Sequence, residues 1–250
     1  MVAGNNEIDD EVVVMTKLDD AYRELSKLSD HRFYRIFYSR ISPSPIMILG
    51  INPGGDPASW VAPAGADPFC SRWQHDYVDQ SYELQSVMLP LLTSTLDIAA
   101  DCVRRIPKTN MVFRRSSSEK TFVDQQGMSM REALAETAPI LKTIIQHVSP
   151  STIIFEGSGA FSRFTSVFGA GPLPPSLVPR ITTPNGRHAA SIYSVYEVRT
   201  AILPDPITAI VLAHPSKYAR RVEFNAARAD MKARLAGIGS QLRALGPVFM

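Results

Sequence analysis

Four short apolar runs divide the chain, at 46–50, 108–113, 152–155 and 207–213. Each is too short for a buried helix and is bounded by Pro, Gly or polar residues. That is how a strand buried on both faces reads. Between the runs, apolar residues recur at helical spacing. Leu18, Tyr22, Leu25 and Leu28 mark a helix over 17–33, and 81–100 reads as a helix interrupted at Pro90. Another helix is predicted over 129–147. Ser129 and Glu132 make a capping-box pair at its start, Pro139 offers a bend, and Ser149-Pro150 stops it. A short helix ending near Phe168 and a basic one over 220–235 follow, the latter with Val222, Phe224 and Ala227 available for burial. Residues 191–198 alternate in a strand-like way, through Ile192, Tyr193, Val195 and Tyr196.

This alternation predicts one α/β domain over residues 1–250, with 1–16 loosely held. The expected architecture is a three-layer α/β/α arrangement around a central, largely parallel four-stranded sheet. Parallel strands put their carboxyl ends on one edge, where open α/β sheets bind ligands. The turns NPGG, EGSG and HPS follow three of the runs, and Asn110 lies in or near the end of the remaining one. Asn52, Asn110 and His214 are therefore expected to open onto a shared crevice. The long connection over 54–80 carries Trp60, Phe69, Trp73 and Tyr77, which argues for order within it.

Composition narrows the chemistry. The only cysteines are Cys70 and Cys102, and no CxxC pair exists. A four-thiolate zinc site and a four-cysteine iron–sulfur cluster are excluded, and no metal or cofactor is expected. The N-terminus is acidic, and no apolar run approaches the ~20 residues that span a bilayer. A soluble, cytoplasmic, monomeric protein without a membrane partner is the expectation. The net charge of +2 says little, but residues 1–30 hold eight acids against three bases, whereas 217–243 hold seven bases against two acids. Such asymmetry suits a polyanion meeting one face, and equally an ordinary solvated helix.

Four motifs carry a resemblance. GINPG at Gly50–Gly54 resembles the first motif of the mismatch-specific uracil and thymine glycosylases. GADPF at Gly65–Phe69 resembles a segment that supplies a stacking phenylalanine, and TNMVFR at Thr109–Arg114 resembles a strand bearing a base-reading asparagine. HPS at His214–Ser216 resembles the second motif of the uracil-specific and single-strand-selective enzymes. In this order, over roughly residues 45–220, they are similar to the uracil-DNA glycosylase superfamily. The resemblance implies that fold, and a monofunctional glycosylase that flips a uracil or modified pyrimidine out of single- or double-stranded DNA and hydrolyses its N-glycosidic bond.

It also implies roles. Asn52 would hold the attacking water, which an amide can orient but not strongly deprotonate. His214 would donate to O2 of the departing base. Asn110 would pair with the base edge, and rotated by a half-turn the same amide suits cytosine. Phe69 would stack on the base, backbone groups after Asn52 would approach the base and sugar as Gly54 and Gly55 permit, and Gly50 and Ile51 belong to the same substrate-binding set. Ser216, Lys217, Tyr218, Arg220 and Arg221 would meet DNA, with Tyr218 as a wedge. Where the uracil-specific enzymes carry a thymine-excluding tyrosine, this chain has Gly54, so a 5-substituted base is a candidate, including bulky modified cytosine or thymine in foreign (phage) DNA. Lys217 departs from the proline common after HPS, and residues 169–190 have no counterpart. Lys108 and Lys217 are the lysines that bear on whether an amine nucleophile exists.

Each residue also has a plainer reading. Asn52 can cap a turn, Asn110 can satisfy a strand end, His214 can be a loop residue, Phe69 can be core, and 217–221 can be a solvated helix start. At the level of function, the alternatives are a non-catalytic nucleic-acid binding module of this fold and a doubly wound enzyme acting on a free nucleotide. The second is weakened by the lack of a GxGxxG or Walker loop.

Overall fold

The structure, a computed structural model, describes residues 38–58, 75–79, 83–178, 193–213 and 222–235. The helix expected over 17–33, the 1–16 segment and most of the aromatic loop lie outside the described residues. In chain order the elements are β1 (Ile46–Gly50), α1 (Asp76–Asp79), α2 (Glu83–Pro90), a π-helical turn (Leu91–Thr95), α3 (Ala100–Val103), β2 (Lys108–Asn110), α4 (Phe122–Gln126), α5 (Met130–Val148), β3 (Thr152–Phe155), α6 (Ser158–Phe168), β4 (Tyr193–Val198), β5 (Ile207–Leu212) and α7 (Val222–Arg234).

The strands form a sheet in the order β2-β1-β3-β5-β4. β1 pairs with β2 and β3, and β3 with β5, all in parallel. β4 runs antiparallel to β5 and forms the edge. The sheet is thus mostly parallel, but it has five strands where four were expected. The fifth is the alternating stretch near 191–198. Its pattern was visible, but its pairing with residues 207–212 is a long-range fact that periodicity does not carry. β2 is also shorter than its apolar run, because the chain bends after Asn110. Met111 and Val112 still donate to the carbonyls of Gly50 and Ile51, at 2.9 and 2.8 Å.

Helices cover both faces. Met47, Leu49, Ile153, Phe155, Ala209 and Val211 face α5 and α6, through Leu141, Ile144, Ile145, Phe161 and Phe164. Ile46, Ile48, Ile154, Ile210 and Leu212 point the other way, onto Tyr77, Met88, Leu91, Leu92, Val103, Ala227 and Met231. The period-2 geometry of a strand makes this division, and both sets are apolar because neither face meets water. α5 starts as its sequence predicts: Ser129 Oγ accepts from the Glu132 amide at 3.2 Å, and Glu132 Oε2 accepts from the Ser129 amide at 2.7 Å. The interruption at Pro90 takes the form of a π turn, in which the Leu96 amide reaches back to the Leu91 carbonyl at 3.0 Å. Arg228 of α7 donates to Thr95 Oγ1 at 3.0 Å and to the Pro90 carbonyl at 3.4 Å, so that base of the C-terminal cluster works inside the fold. Cys102 is a buried free thiol. Among the described residues no helix is long and apolar enough to cross a membrane.

A partly buried ion pair, with Arg114 enclosed and Glu136 at its edge, anchors the segment after β2. The Arg114 guanidinium donates through Nε and one Nη to both oxygens of Glu136 in α5, at 2.7 and 2.8 Å. Removing Glu136 takes the facing carboxylate away from an enclosed guanidinium. Glu136→Ala should therefore lower unfolding free energy by about 3 kcal/mol in urea titration, and the double substitution Arg114→Met, Glu136→Met should recover most of the loss. An unchanged midpoint in Glu136→Ala would count against the anchor.

Candidate active site

The carboxyl edge of the sheet carries the polar residues of interest. β1 is the point where the chain order reverses, with β2 on one side and β3 on the other. A crevice for ligand is expected at such a switch point. Gly50 at the end of β1 is in register with Asn110 at the end of β2. Glu156 directly follows β3 and donates its amide to the Leu49 carbonyl at 3.0 Å. Strand alternation sends Asn110 and Glu156 to the same face, and both reach over Gly50. A Cβ on Gly50 would meet Asn110 Oδ1 at 2.1 Å and Glu156 Oε2 at 2.8 Å. Gly50 is a glycine because that space is already filled by two polar side chains.

Asn110 is 3 % exposed and Glu156 6 %. Among the described residues, neither the Asn110 amide nor Glu156 Oε1 has a hydrogen-bond partner. Behind Glu156 lies a charged core. Lys108 Nζ is 3.8 Å from Glu156 Oε1 and 3.7 Å from Asp76 Oδ2, and it packs 4.1 Å from the centre of the Tyr38 ring and 4.9 Å from that of Tyr77. One ammonium thus serves two carboxyl groups. Burial, with the Asp76 charge second, pushes the Glu156 carboxyl up to about 8. The neighbouring His75 accepts from the Tyr77 amide through Nδ1 at 3.1 Å, and its Nε2 lies 3.1 Å from the Ile106 carbonyl, which suits a neutral ring with the proton on Nε2. Burial and then the Lys108 charge lower its pKa to about 4.

Asn52 stands beyond β1, in a loop held by the chain that follows β2. Ser116 donates its amide to the Pro53 carbonyl at 3.0 Å, and the Arg115 guanidinium donates to the Gly54 carbonyl. The Asn52 Nδ2 donates to Ser116 Oγ at 2.8 Å and to the Pro53 carbonyl at 3.0 Å. With both N–H groups used, the amide cannot rotate freely, and its Oδ1 accepts from no described residue. The plain turn-capping reading of Asn52 therefore accounts for one end of the side chain and leaves the acceptor end available. Gly55 uses the positive φ that glycine permits, at 98°, whereas Gly54 is exposed and has no described residue within 4 Å of a Cβ position.

Of the residues singled out by sequence, Gly50, Asn52, Gly54 and Asn110 lie at this edge. Ile51 turns away from the Asn110 and Glu156 side: its Cδ1 would lie 3.1 Å from a Cβ on Gly159 of α6, although its carbonyl still bonds Val112. Phe69, His214, Ser216, Lys217, Tyr218, Arg220 and Arg221 lie outside the described residues; β5 ends at Leu212, close in sequence to His214. Sequence reasoning passed over Glu156, Lys108 and Ser116 as site residues. The signal for the first two was present, as charged residues bracketing runs otherwise buried on both faces. Ser116 had none, since only the folded loop brings it to Asn52. Among the described residues no group of His, Cys, Asp or Glu side chains could hold a metal ion.

No protein-family model matches the chain. No curated protein matches it at a significant level either.

Proposed function

We propose that this protein is a monofunctional DNA glycosylase acting on uracil or a modified pyrimidine flipped from DNA. The observation that carries the reading is the tethered amide of Asn52. Its donors are engaged and its acceptor is open, beside the paired strand ends that hold Gly50 and Asn110. The order of the GINPG, TN and HPS motifs supports it. In the reaction the bond between C1′ of the sugar and N1 of the base breaks. The hydroxyl of water goes to C1′ and its proton goes to the base. Positive charge builds on the sugar and negative charge on the base. A water accepted by Asn52 Oδ1 is positioned to attack, while Asn110 pairs with the base edge. His214 at O2, Phe69 stacked on the ring and the 216–221 segment on the phosphates complete the reading on the strength of the motif resemblance alone. Lys108 is a poor candidate for an amine nucleophile, since it lies buried between two carboxyl groups and two aromatic rings.

The test is incubation with oligonucleotides that each bear one modified base, followed by alkali to reveal abasic sites. If no base is released in any context, the non-catalytic binding module becomes the better reading.

A second substrate reading, a bulky 5-substituted pyrimidine in foreign DNA, is favoured by one observation: no described residue lies within 4 Å of a Cβ at Gly54. Gly54→Tyr should raise the ratio of uracil release to 5-substituted release at least tenfold, on the scale of a steric clash in a snug site (roughly 1–3 kcal/mol). An unchanged ratio would remove Gly54 from any gating role.

A further inference from the structure

We propose that Glu156 is a second base-reading residue, set beside Asn110 over Gly50 and donating a hydrogen bond from Oε2 to a carbonyl oxygen of the flipped base. The inference rests on the glycosylase reading and adds to it a residue and a substrate class: pyrimidines with an oxygen on the edge that faces Glu156, as in uracil and thymine.

The geometry points there from several directions. Glu156 is nine-tenths buried at the end of a parallel strand, at the switch point of the sheet. Its two oxygens have different surroundings. Oε1 is enclosed, without a hydrogen-bond partner, and faces Lys108 Nζ at 3.8 Å. Oε2 is the oxygen that reaches over Gly50, towards the same point as Asn110 Oδ1. A cation facing Oε1 favours that oxygen as the acceptor, so the proton belongs on Oε2. Among the described residues, the groups that face Glu156 are Lys108 from β2, Asp76 from α1 and the Asn110 side-chain amide; His75 lies behind Asp76 and is neutral. Burial and Asp76 hold the carboxyl un-ionised up to about pH 8. A carboxylic acid kept neutral by an apolar site is an effective donor to an oxygen on which negative charge develops. Asn110 then supplies the acceptor for N3–H, and Glu156 a donor beside it. An ionised Glu156 would instead repel the carbonyl oxygen. The proton stays on Glu156 throughout, so no further reactant is needed.

The test uses the full chain and an oligonucleotide with one 2′-deoxyuridine, together with the same strand carrying the cleavage-resistant 2′-fluoro analogue. Single-turnover release and the binding preference for the uracil strand over an otherwise identical thymine-free, uracil-free strand are measured from pH 6 to 9, below the range in which uracil N3–H itself ionises. In the wild type both should fall above roughly pH 8, by about tenfold per unit, as Glu156 loses its proton. Glu156→Ala should lower both at least tenfold at pH 7. Glu156→Gln, which restores a donor that cannot ionise, should stand at least threefold above Glu156→Ala and lack the alkaline fall. An alkaline fall that persists in Glu156→Gln, or a Glu156→Ala protein equal to wild type, overturns the inference while leaving the glycosylase reading in place. A binding preference with the predicted pH profile but no release supports Glu156 as a reader and refutes the hydrolase. Absence of any preference for the uracil strand overturns the inference.

Discussion

Replacing Asn52 with alanine is expected to lower single-turnover base release by about a hundredfold or more, the scale of losing one oriented polar group in a reacting site. The size follows from how the amide is held. Its Nδ2 is fixed by Ser116 Oγ and the Pro53 carbonyl, so Oδ1 is pre-oriented as an acceptor before substrate arrives. A water held there gives up its orientational freedom once, in the folded protein, rather than at each turnover. DNA affinity should change far less, because phosphate contacts dominate it. Ser116→Ala should produce an intermediate loss, near tenfold, since the amide remains but can rotate. The measurement is abasic-site formation with enzyme in excess, beside binding to the same oligonucleotide. An Asn52→Ala protein that cleaves at the wild-type rate would show that water is held elsewhere. His214→Ala should match Asn52→Ala in rate if it stabilises the departing base as the motif resemblance implies, because the two act on opposite sides of one breaking bond.

Local rules made much of this fold legible. The runs at 46–50 and 152–155 are strands because uninterrupted apolar sequence of that length suits a sheet covered on both faces, and both are wholly buried. The Ser129 and Glu132 pair announced α5 because a capping box needs only residues three apart. Pro90 signalled a break but not its form, since a π turn depends on what packs against it, here Arg228 from the far end of the chain. The site was legible in outline for a similar reason. Parallel strands fix which ends share an edge, so Asn110 opposite Gly50 was foreseeable once both strands were recognised. Parity within the strand also decides that Ile51 faces away from that pair, a point the motif alone does not carry. Glu156 and Lys108 were harder. A charged residue flanking an apolar run looks like the run's solvent boundary. Only the tertiary structure brings Asp76 across to Lys108 and turns the boundary into a buried charge cluster.

Gly50→Ala should be the most damaging small change at the site, more so than any substitution at Gly54. The added methyl would overlap Asn110 Oδ1, 2.1 Å away, and press on Glu156 Oε2 at 2.8 Å. The first separation is shorter than any real carbon–oxygen contact, so Asn110 must swing aside and Glu156 with it. The backbone has less reason to move: Gly50 lies in β1 with no positive φ, and its carbonyl accepts from Met111 at 2.9 Å in either variant. Overpacking of this kind costs about 1–3 kcal/mol, which thermal unfolding will read as a modest loss. The functional loss should be much larger. Displacing a positioning group by about 1 Å can cost a hundredfold, and here both side chains proposed to read the base are displaced together. Release of the preferred base should therefore fall at least a hundredfold, while salt-dependent affinity for undamaged DNA is retained. The comparison with Asn110→Ala separates the causes. That variant removes one reader and leaves Glu156 over Gly50, so it should relax base choice and lose less rate than Gly50→Ala. A Gly50→Ala protein that folds, binds DNA and releases the base at the wild-type rate would mean that the space over Gly50 is not where the base is read.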